Sequence, residues 1–134
     1  MPKLTIRQSV FETNSSSVHA VSVMPIDDYD DFVNGNVAFQ ALSNGSIEPI
    51  DIGYARREYD DFCDGRFASM VERGIADNDE AANVFANATG IVFADIFDGD
   101  YNRLSAYGRN GREVSVLCEH NDGDECTVTI MSYD

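Results

Sequence analysis

The segment Tyr29–Gly35 reads YDDFVNG, and Tyr59–Gly65 repeats it as YDDFCDG, with five of the seven positions identical. Each copy sets two aspartates between two aromatic residues and ends on a glycine. This pattern is typical of an acidic amphipathic helix whose apolar side faces the core and whose carboxylates face water. The repeat therefore predicts two acidic helices, and the rest of the chain is interpreted around them.

The composition indicates a chain that folds. A length of 134 residues suits one domain, so we predict a single globular domain over residues 1–134. Apolar residues make up 43% of the chain and include eight Phe and six Tyr. A disordered acidic tail is poor in such residues, so the chain has the apolar surface that a core requires.

The net charge is the most unusual property of the sequence. Asp and Glu number 24 against 9 Lys and Arg, which gives a formal net charge of −15. Such a field repels nucleic acid and anionic membranes and attracts basic protein surfaces. We therefore expect a basic protein partner, without direct binding to nucleic acid or membrane. A second interpretation stays open, in which all proteins of the source organism are acidic, as in a high-salt cytoplasm.

The sequence gives no sign of export or of a metal centre. Residues 1–7 lack the apolar run of a signal peptide, and no later segment is long and apolar enough to span a bilayer. We therefore predict a cytoplasmic protein. The cysteines Cys63, Cys118 and Cys126 show no CxxC spacing, which disfavours a zinc site and favours reduced thiols.

Two helices have recognisable ends. Pro25 is expected to open the first acidic helix over Ile26–Asn34, with acidic residues in its first turn and Gly35 as its stop. Asp77 and Glu80 have the spacing of a capping box and predict another helix that ends at the next glycine.

The longest helical pattern covers Tyr54–Arg73, where apolar residues recur at the spacing of one helical face. Gly65 lies inside it and costs about 1 kcal/mol against alanine. The segment is therefore either one weakened helix or two helices that break at Gly65.

Apolar stretches predict several strands. They lie at Val18–Val23, at Val37–Ala41 and at Ile91–Phe97, the last a candidate for the centre of a sheet. A short strand over Leu4–Ile6 would pair with Val18–Val23 as a hairpin. His19 shares the strand parity of the two following valines, which predicts that it faces inward.

The end of the chain predicts a β-hairpin. Two runs of alternating residues flank a turn over His120–Asp124, which sets Cys118 opposite Cys126. The core-facing residues of this hairpin are Val114, Val116, Cys118, Cys126, Val128 and Ile130. The whole pattern predicts an α+β fold, with an antiparallel or mixed sheet of about five to six short strands and two to three helices packed on one face.

No pattern amounts to a catalytic signature. Ser15–Ser17 and His19 place hydroxyls beside an imidazole, and a hydrolase or transferase that uses them with an acid from elsewhere is an alternative function. A turn stabilised by local side-chain bonds is the simpler interpretation of this run. There is no glycine-rich phosphate loop, paired-histidine motif or nucleophile elbow. We therefore predict no catalytic residues, no metal site and no cofactor.

Two acidic clusters invite a calcium interpretation. One consists of Asp95, Asp98, Asp100 and Asn102. Counted from Asp98, however, arginines stand where a helix-loop-helix calcium site needs glycine and glutamate. The other lies at the predicted hairpin tip and consists of Glu119, His120, Asp122, Asp124 and Glu125. Polar turns are the simpler interpretation of both clusters.

Val10–His19 reads VFETNSSSVH. This run resembles the opening of small, mostly uncharacterised proteins of phages and mobile elements, which begin with a basic strand and continue with a near-identical Glu-Thr-Asn-Ser-Ser-Ser-x-His segment. The resemblance covers about a tenth of the chain. It implies a phage-like or mobile-element origin, with the cytoplasm of the host cell as the location, and it implies no mechanism.

The acidic repeats are the best candidates for a functional surface. Like charges four residues apart on a helix cost a few tenths of a kcal/mol, so their presence indicates a use. The first copy has no nearby cation, whereas Arg56 and Arg57 lie one turn before Asp60 and Asp61 and are expected to neutralise them. We assign partner binding to seven aspartates, Asp27, Asp28, Asp30, Asp31, Asp60, Asp61 and Asp64.

Together, the charge and the resemblance favour a small acidic interaction protein. Its carboxylates would mimic DNA and occupy the basic nucleic-acid groove of a partner, because they satisfy the same Lys and Arg side chains. Inhibitors of bacterial defence nucleases, anti-CRISPR proteins among them, are the class that fits. The hydrolase alternative and an accessory protein with proteome-wide acidity stay open.

Overall fold

Strands of alternating burial make up much of the structure. A computed structural model describes residues 19–132. Its strands, in chain order, are β1 (His19–Pro25), β2 (Val37–Ala41), β3 (Ile47–Asp51), β4 (Ile91–Val92), β5 (Asp98–Asp100), β6 (Arg103–Tyr107), β7 (Glu113–His120) and β8 (Glu125–Ser132). They form a five-stranded sheet in the order β1-β8-β7-β6-β5 and a three-stranded sheet in the order β3-β2-β4. Every pairing is antiparallel.

Along the chain, the helices lie in two segments, one between β1 and β2 and the other between β3 and β4. They are α1 (Ile26–Val33), α2 (Ile52–Phe62), a π-helical turn (Cys63–Phe67), α3 (Ala68–Glu72) and α4 (Ala81–Thr89), with short 3-10 turns at Asn78–Glu80, Ala94–Ile96 and Arg109–Gly111. The α+β class is confirmed. The strands belong to two antiparallel sheets, where the sequence predicted one.

The helix ends follow from local chemistry. Pro25 precedes α1, and Gly35 follows it with φ +82°, a value that glycine adopts without strain. The Asp51 carboxylate accepts a hydrogen bond from the Tyr54 N–H at 2.8 Å, so α2 begins at Ile52, two residues before the predicted start. Gly65 does not break the long helix, because the π-helical turn carries the chain through it into α3.

Two hydrophobic clusters fill the structure, and each copy of the repeat belongs to a different one. Tyr29 and Phe32 are fully buried in the first cluster, beneath the larger sheet. Tyr59 and Phe62 belong to the second cluster, with residues of α4 and β4. Ile96 contacts both clusters. The same sequence pattern therefore serves two cores.

The predicted strand over Ile91–Phe97 is wrong beyond its first two residues. Only β4 pairs, at the edge of the smaller sheet, and the chain then makes a 3-10 turn. A straight strand would direct Phe93, Asp95 and Phe97 to the same face. The turn instead places Phe93 in the second cluster and Phe97 in the first, and it leaves Asp95 exposed.

The β7–β8 hairpin has the predicted faces and a different register. The six apolar residues assigned to its inner face are all buried. Cys118 pairs with Val128 and not with Cys126. The loop spans residues 121–124 and is closed by the Asn121 N–H, which donates to the Glu125 carbonyl at 2.9 Å. A shift of two residues keeps each side chain on its face, so alternation alone could not decide the pairing.

Strand β1 forms where it was predicted, with the opposite face inward. Ala20 and Met24 lie in the core, whereas Val23 is 58% exposed. Helix α1 follows β1 directly and packs on the core side, which fixes the inner face of the strand. Only the backbone of His19 is described, and the predicted strand over Leu4–Ile6 lies outside the described residues. Within residues 19–132 no helix has the length and apolar character needed to cross a membrane.

Candidate functional site

Helix α1 is anchored along its apolar face by two loops of the larger sheet. The Ile26 N–H donates to the Asp124 carbonyl in the β7–β8 loop at 2.8 Å. The Tyr29 hydroxyl donates to the carbonyl of Tyr101, in the turn between β5 and β6. Phe32 is fully buried in the first cluster. These contacts fix the rotation of α1, so that Asp27 and Asp31 are exposed and the other two aspartates are partly so.

Tyr101 links the helix to the loops beside it. Its hydroxyl donates to the Asp30 carboxylate, and its ring makes edge contacts with the rings of Tyr29 at 5.1 Å and His120 at 5.8 Å. Burial, and then the hydrogen bond to Asp30, raise the pKa of Tyr101 above its ordinary value. The phenol therefore stays protonated and keeps donating to Asp30 through the neutral pH range.

The contact of Ile26 with Asp124 places α1 beside the β7–β8 loop, which carries further acidic residues. We call this surface the acidic end, and it consists of Asp27, Asp28, Asp30, Asp31, Asp122 and Asp124. No salt bridge within residues 19–132 involves any of these carboxylates. Their charge is therefore not compensated by paired cations in the described part of the chain.

Two thiols lie beneath α1, where Asp28 and Asp30 are close enough to act on them. Burial, and then the neighbouring Cys126, raise the pKa of the Cys118 thiol to about 12. Burial also raises the pKa of Cys126. Thiols with raised pKa values carry little thiolate at neutral pH, so this pair is suited to packing rather than to nucleophilic chemistry.

The second copy of the repeat presents its aspartates on another part of the surface. The Tyr59 ring contacts the rings of Phe85 at 5.2 Å and Phe93 at 5.9 Å, both nearly perpendicular. This packing leaves three aspartates exposed, namely Asp60, Asp61 and Asp64. Helix α2 packs mainly on β2 and β3, whereas α1 packs on β1, β2 and β8. The seven predicted contact residues therefore form two groups on different helices.

The predicted neutralisation of the second group is wrong. Arg56 donates to Asp95 at 2.7 Å, and Arg57 makes no salt bridge within residues 19–132. Although Arg56 and Asp60 lie on the same face of α2, the Arg56 guanidinium bonds to Asp95 in the turn that follows β4. Its guanidinium lies beside Gly35, where a Cβ atom would come 3.9 Å from Nη2. The cation expected at the second copy therefore lies near the end of the first.

The sequence pattern identified α1 but did not identify its neighbours in the acidic end. The pattern around Asp122 and Asp124 is that of a polar turn, and nothing in the sequence distinguishes Tyr101. Asp30 and Tyr101 are 71 residues apart in the chain. No local pattern indicates a contact at that separation.

The described residues offer no metal centre and do not test the serine cluster. Among residues 19–132, no three His, Cys, Asp or Glu side chains are placed to hold a metal ion together. Ser15–Ser17 lie outside the described residues. The hydrolase alternative therefore gains no support from the described geometry.

Comparison of the chain with protein-family models, with curated protein sequences and with solved structures finds no match.

Proposed function

We propose that this protein is a small acidic interaction protein that inhibits a basic nucleic-acid-binding partner by presenting a surface of carboxylates in place of DNA. The resemblance of Val10–His19 to phage and mobile-element proteins points to an anti-defence role of the anti-CRISPR type. The partner surface would be the groove in which a defence nuclease holds nucleic acid. In this proposal the protein acts by binding and carries out no chemistry.

The observation that carries the proposal is the anchored position of α1. Four aspartates lie within residues 27–31, over about 6 Å of helix axis. This amounts to roughly one charge per 1.5 Å, close to the one charge per 1.7 Å of duplex DNA. A helix of this charge density can replace phosphates as the counterion of Lys and Arg side chains in a groove.

The anchoring also lowers the cost of binding. Ordering a flexible surface on association costs about 0.5–1.5 kcal/mol for each side chain immobilised. Asp30 is already held by Tyr101, and the helix is held by Tyr29 and by the β7–β8 loop. A partner would therefore meet an array whose backbone is already in place.

We assign the second group, Asp60, Asp61 and Asp64, to a separate contact with the same partner. All three side chains are exposed, and none forms a salt bridge within residues 19–132. Because α2 packs on a different sheet from most of α1, the two groups would contact different parts of a groove. Reversal of one group should therefore weaken binding without abolishing the contribution of the other.

The test begins with capture from a lysate of the natural host at low and high salt. The captured protein must bind DNA on its own, and the purified acidic protein must displace that DNA in a competition assay. Contacts between exposed charges weaken as salt rises, so both capture and displacement should decline steeply between about 50 mM and 500 mM salt. A captured protein without affinity for nucleic acid would contradict the proposal.

Two charge-reversal variants separate a specific surface from overall acidity. The first replaces Asp27, Asp28 and Asp31 with lysine and leaves Asp30 to hold Tyr101. The matched control replaces three other exposed acids, Glu48, Glu72 and Asp79, and changes the net charge by the same amount. We expect the first variant to displace DNA much more weakly than the parent protein does and the control to match the parent. An equal loss in both would support the alternative in which the acidity reflects the composition of the source proteome.

A further inference from the structure

The dipeptide Asn-Gly occurs three times in the chain, at Asn34–Gly35, Asn44–Gly45 and Asn110–Gly111. It is chemically labile, because glycine has no side chain to shield its main-chain nitrogen from the preceding side-chain amide. Attack of that nitrogen on the amide carbon closes a five-membered succinimide ring. All three asparagines are exposed, so exposure alone does not decide which of them reacts.

At Asn34–Gly35 the attacking nitrogen takes part in the turn that ends α1. The Gly35 N–H donates to the Phe32 carbonyl at 3.1 Å. The preceding N–H, that of Asn34, donates to the Asp30 carbonyl at 2.9 Å. The turn must open before the nitrogen can reach the side-chain amide, so we expect folding to protect this site.

At Asn44–Gly45 both the nitrogen and the side chain are held. The Gly45 N–H donates to the Leu42 carbonyl at 2.9 Å. The Asn44 side-chain oxygen accepts hydrogen bonds from the Ser46 N–H at 3.0 Å and from the Ser46 hydroxyl at 2.7 Å. The turn between β2 and β3 therefore fixes both reacting groups, and folding should protect this site as well.

Asn110–Gly111 lies in the loop between β6 and β7 and is less restrained. The bond that closes this loop uses the next nitrogen along the chain, because the Arg112 N–H donates to the Arg109 carbonyl at 3.0 Å. Within residues 19–132 no side-chain hydrogen bond holds Asn110. A Cβ atom built on Gly111 would meet no atom within 4 Å, so the space around the reacting groups is open.

The backbone of Asn110 also has an unfavourable conformation. Its φ of 58° and ψ of 36° are left-handed, and it is the one residue other than glycine with a positive φ in the described part of the chain. Asparagine tolerates this region, but an L-residue is more stable in the extended and right-handed regions. The succinimide ring closes only after ψ of the asparagine rotates. That rotation costs less from an unfavourable starting conformation than from a favourable one.

We propose that Asn110–Gly111 is a site at which this protein modifies its own backbone. The Gly111 nitrogen forms a bond to the side-chain carbon of Asn110. The side-chain nitrogen leaves as ammonia, with the proton that the glycine nitrogen gives up. One water molecule then opens the succinimide at either of its two carbonyls. The products are aspartate and isoaspartate at position 110, and no oxidant, reductant or cofactor is consumed. This inference does not depend on the proposed function.

The modified residue directly follows Arg109, which joins the loop to the turn that leads into α4. The Arg109 N–H donates to the Glu80 carboxylate at 3.2 Å. The Arg109 guanidinium pairs with Asp77 at 3.0 Å and with Glu80 at 3.0 Å. Isoaspartate extends the main chain by a carbon atom beside this junction, and either product adds a negative charge. We therefore expect the modification to weaken the Arg109 contacts and to loosen the loop.

The first test compares the three sites in the folded and in the unfolded chain. The full-length protein is held in mildly alkaline buffer, with and without enough urea to unfold it, and the gain in mass at each asparagine is followed by mass spectrometry of peptides. The rate in urea measures the reactivity of each local sequence. We expect folding to slow the reaction at Asn34 and Asn44 at least about tenfold, and at Asn110 by a clearly smaller factor. Protection at Asn110 equal to that of the other two sites, or greater, would overturn the proposal.

Asn110→Gly is the matched control, because glycine adopts a φ of 58° without strain and has no side-chain amide. The peptide that contains position 110 should then show no gain in mass. Asn34 and Asn44 should react at the parental rates, with circular dichroism confirming the fold. A gain in mass that persists in the variant peptide would mean that another residue reacts, which contradicts the assignment to Asn110.

A second test examines the modified protein itself. Each conversion adds one negative charge, so anion exchange separates the product from the parent chain, and peptide masses identify the fraction modified at position 110. The Arg109 and Arg112 amides donate within the loop and its junction, so their hydrogens should exchange several-fold faster in that fraction. Equal exchange rates in the two fractions would refute the expected loosening of the loop.

Discussion

In the first copy of the repeat, Tyr29 and Phe32 are fully buried under the larger sheet, whereas in the second copy Tyr59 is partly buried and Phe62 is 8% exposed. The first helix is held by Tyr101, which is distant in the chain, and by the β7–β8 loop. The second continues into a π-helical turn, and its Tyr59 hydroxyl bonds to Cys63 in the next helical turn.

This difference shows how one local pattern acquires two roles. In both copies the aromatic residues face a core and the aspartates face water. The first copy is held by hydrogen bonds to loops of the larger sheet, one of which carries further acidic residues. Its aspartates therefore belong to a larger acidic surface. The second copy is held mainly by contacts within its own helix and with aromatic neighbours. Its aspartates are therefore separate from the acidic end.

The largest difference in unfolding free energy between the two copies should come from truncation of the second aromatic residue in each. Phe32 stacks on Phe39 with a centroid distance of 4.3 Å and is fully buried, so Phe32→Ala should cost about 3–5 kcal/mol of unfolding free energy. Phe62 is 8% exposed, with Arg66 over its ring at 5.5 Å, so Phe62→Ala should cost less, at about 3 kcal/mol, the lower end of that range. Urea denaturation measures both. An equal or larger cost at Phe62 would remove the distinction between the two copies.

Removal of each tyrosine hydroxyl tests the long-range hydrogen bond between Tyr29 and Tyr101 against the local bond of Tyr59. Tyr29→Phe leaves the partly buried Tyr101 carbonyl without this donor and should cost about 1–2 kcal/mol. Tyr59→Phe loses only a bond to a thiol and should cost less than about 1 kcal/mol. Tyr29→Phe should also slow partner capture more than Tyr59→Phe does, because it loosens α1. Equal costs in denaturation would mean that the Tyr29 bond adds no stability.

Tyr29 and Tyr59 should also differ in how they make stability depend on pH in the alkaline range. Burial raises the pKa of Tyr29 above its ordinary value near 10, and burial raises the pKa of Tyr59 to about 12. A group with a raised pKa in the folded state holds its proton more tightly than in the unfolded state, so stability is full below pH 10 and falls as pH rises. Each such group contributes a slope of up to about 1.4 kcal/mol per pH unit.

The Tyr59 contribution should level off near pH 12, while that of Tyr29 should continue to higher pH. Denaturation of the parent, Tyr29→Phe and Tyr59→Phe proteins between pH 9 and 11.5 measures these slopes. Each variant should lose stability less steeply than the parent does. A variant with the parent's slope would show that its tyrosine ionises equally easily in the folded and unfolded states.

A smaller difference in stability is expected between alanine substitutions of the two arginines that precede the second copy. Arg56 pairs with Asp95, and both side chains are about half exposed, so Arg56→Ala should cost about 0.2–1 kcal/mol. Arg57→Ala should be close to neutral, because Arg57 has no salt-bridge partner within residues 19–132. The Arg56 effect should disappear in 1 M salt. A greater cost for Arg57→Ala would restore the expectation that it neutralises the second copy.

The smallest effects concern repulsion within each helix. Asp60 and Asp64 are four residues apart, so Asp64→Asn should raise the unfolding free energy by a few tenths of a kcal/mol. Asp27 repels Asp31 in the same way, but it also lies in the first turn of α1, where the helix dipole favours negative charge. Asp27→Asn should therefore be neutral or slightly destabilising. Thermal melts at low salt can detect whether the two substitutions have opposite signs.

Much of the fold and part of the candidate surface could be predicted from the sequence. Helix α1, its proline and glycine ends, and the inward side of the β7–β8 hairpin follow from residue type and spacing. The weaker elements could not be predicted, because β3 contains Pro49 and every residue of β5 is exposed. Short exposed strands carry no alternation and are stabilised by their neighbours in the sheet.

The sequence by itself determined that the chain has two acidic helices, an α+β fold and a large negative charge, because these depend on composition and on spacing within a single element. The tertiary structure decided which carboxylates lie together, which sheet each helix packs on and which cation lies near which copy. Those features depend on contacts such as Tyr101 with Asp30 and Arg56 with Asp95, 71 and 39 residues apart. Local periodicity contains no information about such pairs, because they form only when the two cores and both sheets are assembled.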